Sequence, residues 1–347
     1  MAFFAYLLRS PAGINPEYHK KLLLTAPFHA LTFRPNKSRS RYHLRFNMRG
    51  AQSMQLKSSK VLRSAFNALP WKLQDCVQFY LKFGRLPRSR NPLTLNENVI
   101  LRKWNECFTD PRYPMLADKY LVRKYVESKI GNEWLVPLQG VFNSADELSS
   151  ILSTITSGVL KPNHGAGMVE IIDQPLSTPE QDRIIFNAKN WLESDFSHTA
   201  REPHYAKISP RLVLEDRIGI PGRPLDDFKF HTFNDGTQSP PFVLQIIDGR
   251  FAGELNRTFF VNQIDVPHSG NYHVNDSQKT LLKRAHRLSL ELLDNIPYAR
   301  IDWFLHDQKL YFGEITLTPA SGLGTGYGND LDLLMGEMWS ACNSQPQ

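Results

Sequence analysis

The 347-residue chain is long enough for two or three modules with their own cores, and 41% hydrophobic against 22% charged residues is an ordinary globular balance. No apolar run approaches the ~18 residues of a membrane-spanning helix, and FFAYLL at residues 3–8 is too short for a signal-peptide core, so a cytoplasmic location is expected. Cys76, Cys107 and Cys342 lack CxxC spacing, which excludes a disulfide framework and a zinc site.

The formal charge of +7 is unevenly placed. Of the 41 Lys and Arg, 17 fall in residues 1–90 against two acids, Glu17 and Asp75, which leaves the rest of the chain at −8. A basic front on an acidic body suits an anionic polysaccharide or a membrane surface touched peripherally, with nucleic acid a weaker candidate; a solvated arm explains the charge equally well. Residues 1–55 show no sustained period and read as a basic flexible arm, with Met48 or Met54 as alternative starts.

Residues 56–115 read as helical. Val61, Leu62, Phe66 and Leu69, then Leu73, Val77, Tyr80 and Leu81, recur at helical spacing with a break at Pro70. LNENVILRKW and LADKYLVRKYVESKIG carry further apolar stripes, the second closed by Gly131. From 134 the texture changes to WLVPLQGVF as a strand, ADELSSILSTI as a helix, GVLKPN as a strand entering HGAGM, and MVEII as its continuation. Thr178, Pro179 and Gln181 predict a helix over 179–194 with Thr178 as its cap. RLVLEDRI, LDDFKFHTF and PFVLQIID are strands, the last two joined through Asn234, Asp235 and Gly236. Ser277 to Asp294 is an amphipathic helix, and another closes the chain from Leu331 to about Ala341.

Between those last helices lies YARIDWFLHDQKLYFGEITLTPA, residues 298–320, which predicts a β-hairpin. His306, Asp307 and Gln308 read as the turn: if an odd-numbered turn centres on Asp307, then Arg300, Asp302, Glu314 and Thr316 share one face, whereas a two-residue turn separates Asp302 from Glu314. Two carboxylates on an otherwise apolar face need neutralising, and Mg²⁺, which takes one or two carboxylates plus phosphates, fits that need. Solvent-facing acids on an edge hairpin are the alternative.

Other signals are weaker taken singly. Lys161 ends an apolar strand directly before Gly165 and Gly167, a loop able to bring backbone N–H groups to a phosphate, although it is not a Walker A pattern. Lys119 lies at a helix start. Glu215 and Asp216 follow an apolar strand, and Asp227 opens another on which Lys229 and His231 share a face. His164 and His198 have no partner at metal-ligand spacing, and no Ser/His/Asp order or GxGxxG fingerprint appears.

Their order is more informative. Lys119, Lys161 with its glycine loop, the strand-end acids, Asp227, and then RxD and ExT on a final hairpin resemble the ATP-grasp superfamily. LADKYLVRKYV, VLKPNHGAG, DFKFHTF, RIDWF and YFGEITLTPASG resemble its TupA-like, teichuronopeptide-biosynthesis branch over roughly residues 90–330. The resemblance implies an α+β ATP-grasp fold, two α+β subdomains clasping ATP at 116–215 and 216–335, behind a helical, basic N-terminal region and before a tail at 336–347. It implies that Lys119 and Lys161 hold ATP phosphates under a loop containing His164, Gly165, Ala166 and Gly167. Glu215, Asp216 and Ile218 then line the adenine pocket, Asp227 meets the ribose, and Lys229 lies near the phosphates. Arg300 stabilises the transferring phosphoryl group, and Asp302, Glu314 and Thr316 hold Mg²⁺. Thr316 departs from the superfamily's usual Asn, and residues 1–90 lack the βαβ substrate domain of better-known ligases.

The implied activity is an ATP-dependent carboxylate–amine ligation through an acyl phosphate, joining an amino acid to a uronic-acid-type carboxylate of a bacterial surface polysaccharide or its precursor. A sugar phosphotransferase on the same fold, a glycosyltransferase and a non-enzymatic glycan-binding protein are the alternatives.

Overall fold

The computed structural model describes residues 64–249 and 255–343, so the arm at 1–55 lies outside the described residues. Residues 64–67 are helical, and Pro70 then precedes α1 (Trp71–Phe83), which ends on a left-handed Gly84. Thr94 opens α2 (Leu95–Trp104): its hydroxyl accepts from the Glu97 amide, and the Glu97 carboxylate accepts from the Thr94 amide. An amphipathic surface helix keeps a polar face in water, whereas α2 also buries Asn96, Glu97, Asn98, Arg102 and Lys103. α3 (Leu121–Ile130) ends at Gly131, whose φ is +96°. Among the described residues no helix is long and apolar enough to cross a membrane.

Two antiparallel sheets follow. The first has the order β1-β4-β2-β3, from β1 (Leu138–Phe142), β2 (Gly158–Pro162), β3 (Glu170–Ile172) and β4 (Leu212–Glu215). α4 (Ala145–Leu152) and α5 (Thr178–Glu193) cover one face, with Leu148, Leu152, Leu160, Ile184, Leu212 and Leu214 as their common core. Ser177, in place of the expected Thr178, caps α5: the Glu180 carboxylate accepts from the Ser177 amide at 2.8 Å, while Thr178 and Pro179 fall inside the first turn. The extended backbone at Ser177 decides this, because a cap residue must sit outside the helical region.

The second sheet has the order β7-β6-β5-β8-β9, built from β5 (Asp227–Phe233), β6 (Phe242–Asp248), β7 (Asn256–Val261), β8 (Tyr298–His306) and β9 (Lys309–Thr316). β7 is a strand the sequence pattern leaves unread. Phe228, Phe230, Leu244, Ile246, Ile301 and Trp303 point to its back, where α6 (Asp276–Leu293) packs Leu282, Ala285 and Leu292 against them. Each such buried side chain contributes about 1.5–3 kcal/mol. The front is divided. At one end α2 and α7 (Gly328–Cys342) cover Phe233, Val243, Phe259 and Tyr298 with Leu95, Val99, Leu331, Met335 and Trp339. At the other end the front is polar and faces the first sheet across a cavity.

The β8–β9 hairpin corrects the expected odd turn. Its turn has two residues, Asp307 and Gln308, both left-handed at φ 48° and 58°, and His306 pairs with Lys309, Leu305 with Leu310, and Trp303 with Phe312. Continued unbroken, that register would set Asp302 against Gly313 and turn Glu314 to the back of the sheet. It shifts by one residue instead, so that Asp302 pairs with Glu314 and Arg300 with Thr316. A β-bulge at Gly313 thus restores the shared face that a two-residue turn alone removes. A Cβ at Gly313 would lie 2.9 Å from the Asp302 carbonyl oxygen and 3.1 Å from the Phe304 ring, so space demands glycine there.

Candidate active site

The cavity between the sheets measures about 780 Å³. Lys119, Lys161, Gly165, Ala166, Gly167, Glu215, Asp216 and Ile218 line it from the first half, and Asp227, Lys229, Arg300, Asp302 and Glu314 from the second. His164 and Thr316, also singled out in the sequence, do not line it.

On the first side, strand alternation sends Leu160 into the core and Lys161 towards the cavity. The Lys161 ammonium lies 2.6 Å from Glu215, whose other carboxylate oxygen is 3.0 Å from Arg123. Arg123 also donates to the Val136 carbonyl at 2.6 Å, which ties α3 to this edge of the cavity. Asp118 accepts from the Tyr120 and Leu121 amides at 2.8 and 3.1 Å and from the Asn163 side chain at 2.9 Å, so one carboxylate caps α3 and grips the glycine loop. The Lys119 amide donates to the Asn163 carbonyl, and its ammonium donates to the Gly165 carbonyl. Burial pulls the Lys119 ammonium below its usual range; Glu314 opposes that shift and Lys161 adds to it.

Gly165 and Gly167 have φ of +115° and +77°, and a Cβ at Gly165 would come within 2.6 Å of Met168. His164 turns inward instead, its ring nitrogens 3.2 Å from Asn163 Oδ1 and 3.3 Å from the Ser194 carbonyl, with 3% exposure. Asp216 accepts from Gln139 at 2.9 Å, and the Ile218 carbonyl accepts from Arg217.

On the second side, one row of paired residues crosses the sheet as Gln245, Lys229, Asp302 and Glu314. Arg300 donates through Nε and Nη2 to the two oxygens of Asp302 at 2.7 and 2.8 Å, a bidentate pair, and Nη2 also reaches Glu314 at 3.0 Å and the Thr316 hydroxyl at 2.9 Å. The Thr316 hydroxyl in turn donates to Glu314 at 2.8 Å. Lys229 bridges Asp302 and, at 3.3 Å, Asp227. Burial opposes ionisation of Asp302, but Arg300 and Lys229 outweigh it and hold the carboxyl below its usual range. Glu314 is held low by Lys119, Arg300 and Lys229 against burial and the charge of Asp302. His231, fully buried opposite Arg300, is pushed down to about 3 by burial and by Arg300, and bonds Tyr298 at 2.8 Å as a neutral ring.

These residues fit Mg²⁺ brought in with phosphates. Asp302 and Glu314 converge on one guanidinium nitrogen and stay ionised, as metal ligands must. No group of three or more His, Cys, Asp or Glu placed to hold a metal ion occurs among the described residues, so phosphate oxygens and water would complete the shell, as Mg²⁺ prefers. Asp302 is occupied by Arg300 and Lys229, so Lys229 would have to give way to a metal.

Sequence reasoning missed Arg123, although its place four residues after Lys119, in the first turn of α3, was a usable signal. It also missed Gln245 and Arg257, which line the cavity from β6 and β7.

Two facing sheets, a lysine and glycine loop on one and an Arg, Asp and Glu hairpin on the other, define an ATP-grasp arrangement. The TupA-like ATPgrasp family model matches residues 97–340, and the chain belongs to that family, whose proteins use ATP with Mg²⁺. Among solved structures it is similar to the D-alanine-D-alanine ligase from Helicobacter pylori at 15% identity and TM-score 0.42, over 67% of this chain and 62% of that one. The macrocyclase MdnC from Microcystis aeruginosa MRC, bound with precursor peptide MdnA, is similar at 13% identity and TM-score 0.36, over 88% and 77%. The ATP-grasp ligase PsnB, complexed with minimal precursor, is similar at 12% identity and TM-score 0.37, over 72% and 69%. The chain thus spans less than two thirds of the Helicobacter pylori ligase, and at these scores nothing about substrate passes from these proteins to it. A comparison with curated proteins gives no match.

Proposed function

We propose that this protein is an ATP-dependent carboxylate–amine ligase that joins an amino acid to a uronic-acid-type carboxylate of a bacterial surface polysaccharide or its precursor. The observation that carries the ligase reading is Arg300, one guanidinium bonded at once to Asp302, Glu314 and Thr316 across the cavity from Lys119 and Lys161. Membership of the TupA-like family supports the ATP chemistry. The excess of Lys and Arg in residues 1–90 supports an anionic glycan, met in the cytoplasm or at the inner surface of the membrane.

In this reading Lys119 and Lys161 bind the ATP phosphates, and the loop from Asn163 to Met168 folds over them. His164 serves that loop by anchoring it to Asn163 and Ser194. Glu215, Asp216 and Ile218 border the adenine, Asp227 the ribose, and Lys229 the phosphates. Asp302 and Glu314 hold Mg²⁺, with the Thr316 hydroxyl orienting Glu314. When bound, Mg²⁺ draws charge from the phosphate oxygens. The γ-phosphoryl group passes to a carboxylate oxygen and ADP leaves. The amine then attacks the acyl carbon, phosphate departs, and the amine proton goes to solvent. Arg300 neutralises charge on the transferring phosphoryl group and on the tetrahedral carbon, so positioning and charge supply the catalysis and no protein nucleophile is needed.

Incubation with Mg-ATP and paired pools of uronic acids and amino acids, read by mass spectrometry, tests this. ADP with a new amide is expected. ADP without amide defeats the ligase reading, and a stable phosphorylated product would establish phosphotransfer instead.

A further inference from the structure

Three of the polar residues buried on α2, Asn96, Arg102 and Lys103, bond the backbone of the segment that follows β9, at Gly324, Leu317 and Ser321. The Asn96 side chain donates to the Gly324 carbonyl and accepts from the Gly324 amide, both at 2.8 Å, so it holds both backbone polar groups of one residue. Its own amide donates to Asp332 on α7 at 2.9 Å. Lys103, paired with Asp75 at 2.8 Å, donates to the Ser321 carbonyl at 3.3 Å. The Ser321 hydroxyl donates to the buried Glu202 at 2.7 Å. Ala320 and Ser321 are both left-handed, at φ 50° and 53°, a conformation non-glycine residues keep only when their surroundings impose it.

Burying such groups is costly unless every one is bonded. An apolar helix would fill the same space without that cost, so Asn96 and Lys103 are explained by the backbone they fix. The fixed segment lines the cavity through Ala320 and Gly324–Tyr327, beside Arg300. It lies outside the group of first-sheet residues that faces the nucleotide. A Cβ at Gly322 would come within 2.8 Å of Ile100 and 2.9 Å of the Asn96 carbonyl, so the segment is pressed directly onto α2.

We infer that Asn96 is a positioning residue for the reaction. With Lys103 and Glu202 it fixes residues 320–326 as the wall against which the substrate to be joined rests, while ATP binds without it; this rests on the ligase reading of the site. The helical region before the clasp therefore serves as part of the substrate side.

The test compares the full-length protein with Asn96→Ala and Ser321→Ala. The second removes only the hydroxyl that meets Glu202, and it keeps the test open if the first does not fold. Hydrogen exchange of residues 320–327 is read by mass spectrometry, Mg-ADP affinity by titration, and Mg-ATP turnover with the acid and amine pools at saturating ATP. Exchange in that segment is expected to rise roughly tenfold, the worth of one or two buried hydrogen bonds, with β8 and β9 unchanged. Turnover is expected to fall about tenfold or more with Mg-ADP affinity held within about twofold. Unchanged exchange in a folded variant overturns the inference, as does an equal loss of Mg-ADP affinity and turnover. If the wild-type protein forms no product, the ligase reading fails, and the exchange measurement alone then decides for or against the clamp.

Discussion

The two sheets meet the cavity with different balances of charge. On the first, Lys119, Lys161 and Arg217 line it with Glu215 and Asp216, and Arg123 backs Glu215; on the second, Lys229, Arg257 and Arg300 are matched by Asp227, Asp302 and Glu314. At about 4 Å and an effective dielectric near 20, one unmatched charge is worth about 4 kcal/mol, so the surplus cations of the first half favour an anion. The first half suits a polyphosphate and the second a divalent cation. Bound together, ATP and Mg²⁺ would complete both halves at once.

The largest effects should come from breaking the carboxylate pair of the hairpin. Asp302→Asn and Glu314→Gln are each expected to lower Mg-ATP turnover by about 10³-fold while changing Mg-ADP affinity by less than about tenfold. Turnover that survives in either variant would remove the metal from the hairpin. Asp302→Asn also leaves Lys229 and Arg300 short of a buried partner, and about 3 kcal/mol of stability should be lost in denaturant titration.

Lys161→Met tests the positive half. It should raise the dissociation constant for ATP about 10–100-fold, since a hydrogen bond to a charged group is worth about 1.5–3 kcal/mol; an unchanged value would make Glu215, not phosphate, its partner.

Smaller still is the response to acid. Because the carboxyl pKa values of Asp302 and Glu314 are lowered, their stabilising pairs are fully present above the ordinary carboxyl range and are lost only as pH falls through the lowered values. Turnover should therefore stay flat through mildly acidic pH as far as these two acids are concerned. A fall near neutrality that Glu314→Gln abolishes would contradict this. The smallest effect is expected for Arg123→Ala, which leaves Glu215 its bond to Lys161 and should weaken ATP binding only about threefold by the same titration.

Much of this division was legible in the sequence because it lies in strands, where period-two alternation fixes which side chains share a face. Lys161 next to two glycines, Asp302 two residues after Arg300, and Glu314 two residues before Thr316 could all be read that way. The hairpin's turn could not. Asp307 and Gln308 lack the Asn-Gly or Asp-Gly signature of a two-residue turn, and the bulge depends on a close approach between Gly313 and Asp302 that spacing does not reveal. The inward turn of His164 was hidden for a related reason: its partners are the side chain of Asn163 beside it and the Ser194 carbonyl at a distant helix end. The buried polar residues of α2 were invisible because LNENVILRKW carries the same apolar stripe as a helix with one wet face. Only the tertiary fold brings Gly324 and Ser321 against it.

The bulge at Gly313 also bears on how chains of this kind can differ in length. One extra residue inside a paired strand has been absorbed locally, with Asp302 still opposite Glu314. Deleting Gly313 would leave Phe312 followed directly by Glu314, a regular ladder with the same two acids paired. Replacing it with valine would keep the length and drive a side chain into the Asp302 backbone. At this point of the hairpin, therefore, an insertion or deletion is more easily tolerated than a substitution, and an alignment of related sequences should admit a one-residue gap between the two acids.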